Sequence, residues 1–121
     1  MTFRIFTKPD CKICTKAKDA LDRLRVPYDP VSVDPTSYDL TQPEQVKACM
    51  TAMADAAWFG FDTDYPPLVV AVDEQDKALK TWTGRDVADP FNSWLVAVRA
   101  WLTGQIVVIE TEPPEPPLGI A

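Results

Sequence analysis

Thr7-Lys8-Pro9-Asp10-Cys11-Lys12-Ile13-Cys14 joins two segments of different period. Before it, Phe3-Arg4-Ile5-Phe6 is apolar and aromatic at alternate positions and predicts a strand. After it, Ile13, Ala17, Ala20, Leu21 and Leu24 recur at helical spacing and predict a helix over Lys12 to Val26. Two cysteines separated by two residues therefore sit where a strand turns into a helix. The first turn of a helix has unpaired N–H groups and a partial positive charge, so a thiolate is stabilised there. Cys11, at the helix start, is the candidate nucleophile. Cys14, one turn on and on the same side, is placed to resolve a mixed disulfide. Lys8, Lys12 and Lys16 add positive charge around the pair, a setting in which thiol pKa values fall to about 3.5–7.5.

A Cys-x-x-Cys pair has other readings. Half of a zinc site needs two further ligands, and the chain holds one other cysteine and no histidine, so only carboxylates would complete it. A structural disulfide or a chance spacing also remains open. A redox pair is the reading that the strand–turn–helix setting favours, and no metal is expected.

The chain has 121 residues, enough for one domain with a sizeable core. Its opening runs straight into a strand-like segment, with no basic region followed by a long apolar run. No apolar stretch approaches the roughly 18 residues of a membrane span. An odd number of cysteines does not suggest a secreted disulfide framework. The expectation is a soluble, monomeric, cytoplasmic protein that contacts no membrane. The net charge of −6 tells against nucleic acid, yet it is uneven: residues 1–25 carry seven basic and three acidic side chains, and the remainder is strongly acidic. Basic charge around the thiol pair would attract an acidic partner or a peptide carboxylate.

Pro27 is expected to end the first helix, with a second strand over Tyr28 to Val33, parallel to the first. Thr41 as cap, Pro43 and Glu44 predict a second helix reaching about Ala57, with Val46, Cys49, Met50, Met53 and Ala57 on its packed stripe. Cys49 is expected to be a buried, inert thiol. Trp58-Phe59-Gly60-Phe61 reads as core packing around a turn or, alternatively, a partner-binding patch. Leu68 to Val72 is continuously apolar and suits a central strand buried on both faces, paired as a hairpin with Ala78 to Trp82. Asp89 and Pro90 are expected to open a last helix, with Phe91, Trp94, Leu95, Val98, Trp101 and Leu102 as its stripe and Gly104 as its stop. The expected domain is 1–104. Residues 105–121 form an extension in which Ile106 to Ile109 suggests an added edge strand and Glu112 to Pro117 an extended proline-rich tail.

This order, β-α-β-α-β-β-α, resembles the thioredoxin fold, an α/β architecture with a four-stranded mixed sheet and helices on both faces. Within it the chain resembles the glutaredoxin-like redoxins that reduce ribonucleotide reductase, the NrdH-redoxins. The active-site segment from Thr7 to Cys14, the proline-then-apolar strand from Pro67 to Ala71, and Trp82-Thr83-Gly84-Arg85, similar to a W-S-G-F-R-P motif, carry the resemblance. It is weak across 35–64 and absent after Gly104. The resemblance implies a thiol–disulfide oxidoreductase with no bound cofactor. Electrons would come from thioredoxin reductase and NADPH, or alternatively from glutathione, for which only Gly84-Arg85-Asp86 could stand in for the usual turn. The partners implied are ribonucleotide reductase, or another disulfide-containing protein, and thioredoxin reductase. The family's cis-proline maps to Pro67, or to Pro66 in the other alignment. Lys8, Trp82, Gly84 and Arg85 would lie around the substrate with these prolines. Iron–sulfur ligation through Cys11 in a dimer and an inactive binding module of the same fold are the other readings.

Overall fold

Strand β1 (Thr2–Thr7) runs through the middle of the sheet because its neighbours cover it on both sides. The computed structural model describes residues 1–111, with side chains through Gln105. Helix α1 (Lys12–Arg23) returns the chain to β2 (Tyr28–Ser32), which lies parallel to β1. A short 3-10 turn at Pro35–Ser37 leads to α2 (Pro43–Trp58). Strand β3 (Leu68–Val72) pairs antiparallel with β1, and β4 (Ala78–Trp82) pairs antiparallel with β3, so the sheet order is β2-β1-β3-β4. Helices α3 (Gly84–Ala88) and α4 (Trp94–Thr111) follow. The expected mixed α/β sheet of the thioredoxin fold is present.

Alternation along the strands divides the core in two. Phe3, Ile5, Val69, Ala71 and Trp82 face α1, α3 and α4, where they meet Ala17, Leu21, Val87, Trp94 and Val98. Phe6, Leu68, Val70 and Val72 face the other way, toward Val33, Ala56, Phe59 and Phe61. All five residues of β3 are buried, as a strand covered on both faces requires.

Several expectations are corrected. Helix α1 stops at Arg23, not Val26. Arg25 takes the left-handed conformation (φ 57°), and Val26 N–H reaches Leu21 carbonyl at 2.9 Å while Arg25 N–H reaches Asp22 carbonyl at 3.0 Å. That double bond pattern closes the helix before Pro27 can. Thr41 does not cap α2: its hydroxyl and N–H both donate to Asp39, at 2.6 and 3.1 Å, and Gln42 takes the cap position. The packed face of α2 carries the small residues Cys49, Ala52 and Ala56, which let the helix lie close to the sheet. Met50 and Met53 are therefore rotated into water. Cys49 is buried as expected, with its Sγ 3.9 Å from Met53 Sδ. The aromatic cluster divides: Phe59 packs on Phe6, and Phe61 joins that core, while Trp58 is 83% exposed.

Helix α3 is an addition to the expected order. Thr83 and Asp86 form a reciprocal capping box, with Asp86 accepting from Thr83 N–H at 2.8 Å. The start of α4 moves from Asp89 to Trp94, because the Asp89 carboxylate accepts from Phe91 N–H (2.8 Å) and the Asn92 side-chain amide (3.1 Å). These bonds, the Asn92 one foremost, hold that carboxyl below its ordinary pKa. Phe91 accordingly leaves the stripe and stands in solvent, whereas Trp94 and Val98 are buried as expected. Gly104 does not stop α4. Among the described residues the only left-handed glycine is Gly60, so nothing reverses the chain at Gly104 and the helix continues to Thr111. The edge strand expected over Ile106 to Ile109 is thus helix in backbone; the proline-rich tail lies outside the described residues. No helix among the described residues is long and apolar enough to cross a membrane.

Candidate redox site

Cys11 is the N-cap of α1, with extended dihedrals (φ −104°, ψ 106°). Its sulfur occupies the place that a serine or aspartate oxygen takes in ordinary caps: Cys14 N–H donates to Cys11 Sγ at 3.0 Å. Asp10, at φ 57°, makes the tight turn that delivers the chain into this position. No acidic residue lies in the first turn of α1 itself, and the nearest carboxylate in sequence is Asp10, immediately before the cap. Cys11 and Cys14 are joined as a disulfide, with Cα atoms 5.2 Å apart.

The two sulfurs differ in access. Cys11 is partly exposed, whereas Cys14 is 3% exposed and packs into the protein. When the pair is reduced, alkylation near neutral pH is expected to label Cys11 first, with Cys14 and the buried Cys49 far behind. Peptide mapping by mass spectrometry checks this, and faster labelling of Cys14 or Cys49 would reverse the assigned roles.

Cys11 opens onto a groove of about 560 Å³. One wall is the turn from Lys8 to Ile13. The other is built from two distant segments, Asp64–Pro66 and Gly84–Pro90. Arg85 lies over the Tyr65 ring, its guanidinium carbon 4.0 Å from the centroid, so this cation is held at the groove wall. Gly84 is required by close approach: a Cβ there would meet the Tyr65 carbonyl and lie 2.6 Å from the Pro66 carbonyl oxygen.

Lys8, Cys11, Pro66, Gly84 and Arg85 thus meet in one groove. Cys14 lines a separate cleft that Cys11 also borders, with Thr15 and Lys18. Two expected substrate residues do not reach the groove. Pro67, whose peptide bond with Pro66 is cis, is buried behind it. Trp82 is 5% exposed and belongs to the core, stacked on Phe3 at 5.9 Å and edge-on to Trp94 and Trp101. Tyr65, Ala88 and Pro90 line the groove without having been singled out. The Thr-x-x-Asp pattern at Thr83–Asp86 was the available signal for α3, and hence for the wall that it supplies.

Residues 4–56 match the Glutaredoxin family model. Over this stretch the chain is glutaredoxin-like. The match runs from β1 through the cysteine pair and β2 into α2, and it supports thiol–disulfide oxidoreductase chemistry at Cys11 and Cys14. Searches of curated proteins and of solved structures give no match. The glutaredoxin-like stretch supplies both sulfurs and one wall of the groove, while the wall from Asp64 to Pro90 falls beyond it.

Proposed function

We propose that the protein is a dithiol reductant of protein disulfides, of the NrdH-redoxin kind, and that it donates electrons to ribonucleotide reductase. The observation that carries this reading is the capping geometry of Cys11: a sulfur at a helix N-terminus, accepting a backbone N–H, at the mouth of a groove. In the reduced protein, that N–H and the helix end favour thiolate at Cys11. The thiolate attacks one sulfur of the substrate disulfide, and the other leaves as a thiolate that takes a proton from water. Cys14, one turn along, loses its proton and attacks Cys11 Sγ, expelling the second substrate sulfur. Two electrons pass to the substrate, and the Cys11–Cys14 disulfide remains. Thioredoxin reductase with NADPH then restores the dithiol, and no cofactor is bound. A cytoplasmic setting, where thiols are kept reduced, suits this cycle.

Glutathione is the competing reductant. Against it stands the use of Asp86, the one carboxylate in Gly84-Arg85-Asp86: its Oδ2 accepts from both the N–H and the hydroxyl of Thr83. A direct comparison uses NADPH consumption with an oxidised ribonucleotide reductase as substrate. One reaction holds thioredoxin reductase, and the other glutathione with glutathione reductase. Consumption is expected in the first. Consumption confined to the second would replace the proposed electron source, and none in either would remove the reductant reading.

A further inference from the structure

A second groove, of about 700 Å³, lies beside the first, between α1 and the loop that joins α3 to α4. The two grooves share Lys12, Asp89 and Pro90, so a chain crossing Cys11 can continue directly into the second. Lys12, Lys16, Asp19 and Arg23 line it from one face of α1, at the spacing that stacks side chains along a helix. Phe91 stands at its lip, 91% exposed. A lone exposed aromatic is ordinary, but the backbone that presents this one is held: its N–H is bonded to Asp89, and the same carboxylate accepts from the side chain of the next residue. Asp19 and Asp89 are the groove's two carboxylates, set against the three cations of Lys12, Lys16 and Arg23.

We propose that this groove docks the polypeptide flanking the disulfide of a protein substrate, and that the flank it fits is acidic with an apolar side chain for Phe91. The inference rests on the exchange reading of Cys11 and Cys14, because it assigns the groove to the substrate's own chain. Charge complementarity with α1 selects the flank, and an aromatic anchor at the rim of a cationic groove supplies contact area with little side-chain entropy to lose.

The test separates docking from chemistry. A short fluorescein-labelled peptide of Glu, Asp and Leu without cysteine is titrated with the full oxidised chain, and binding is read by anisotropy. The control peptide carries Lys in place of the acids. The acidic peptide is expected to bind about tenfold or more tightly than the control, and Phe91→Ala and Lys16→Glu each to weaken it about tenfold. Lys47→Glu, on α2 at the other face of the sheet, makes the same change in net charge and is expected to leave binding unchanged. Equal binding of the two peptides would overturn the proposal. So would an unchanged Kd in Phe91→Ala, or equal losses from Lys47→Glu and Lys16→Glu. Reduction of hydroxyethyl disulfide by the reduced chain tests the exchange reading on its own, since the docking peptide holds no sulfur.

Discussion

Cys11→Ser is expected to bring disulfide exchange to background, while Cys14→Ser halts after its first half and accumulates as a mixed disulfide with its target. The asymmetry follows from the places of the two sulfurs. Only Cys11 opens onto the groove, and only Cys11 receives the N–H of the first helical turn. Its serine replacement still caps α1, because a hydroxyl accepts that same N–H. The fold therefore survives, and the loss reads on chemistry alone. Removing Cys14 keeps the attacking thiolate and takes away the thiol that expels the product. Non-reducing electrophoresis and mass spectrometry after incubation with oxidised substrate distinguish the two variants. A Cys14→Ser protein that turned over many equivalents of protein disulfide would show that a monothiol route suffices and would remove Cys14 from the cycle.

The second large effect is expected from a single methyl group. Gly84→Ala places a Cβ against the carbonyls of Tyr65 and Pro66, which are main chain and cannot rotate away. Either α3 lifts from the sheet or the Asp64–Pro66 segment moves, and both form the groove wall. Overpacking of this kind costs about 3 kcal/mol, enough to lower Tm by about 10 °C in a domain of this size. Gly104→Ala should do the reverse. Nothing lies within 4 Å of a Cβ there, the backbone is helical, and alanine is the better helix former by up to about 1 kcal/mol. Thermal melts of the two variants check both signs; a Gly84→Ala protein as stable as the parent would mean that the close approach is not needed.

All four strands, the first helix and both cysteines were legible in the sequence because their signals are short-range. Alternation in Phe3–Phe6, the turn at Pro9 and Asp10, and the stripe on α1 lie within a few residues of one another. Helix starts were misread where a second polar side chain competed for the cap: Asp39 takes Thr41, and Asp89 turns back on Phe91 and Asn92. The packed face of α2 was misread because apolarity and burial part company there. Cys49, Ala52 and Ala56 are small enough to approach the sheet, so the larger methionines are excluded from it. Gly104 looked like a stop, but a glycine ends a helix only by turning left-handed, and residue type alone does not decide that. The far groove wall was legible in part: the resemblance pointed to Pro66, Gly84 and Arg85, and the Thr83–Asp86 spacing marks α3, but Tyr65 meets Cys11 only through strand order. Trp82 illustrates the reverse case: its place in the motif suggested contact with substrate, and its ring is used to fill the core.

That placing of the indoles also equips the molecule optically. Trp82 lies edge-on to Trp94 and Trp101, with centroids 5.9 and 5.5 Å away, whereas Trp58 stands alone on α2 at the opposite face of the sheet. Aqueous iodide should quench Trp58 emission and leave the Trp82 and Trp94 indoles shielded, while near-ultraviolet dichroism reports the packed trio. One chain therefore carries separate optical signals for the two faces of its sheet, with no label attached.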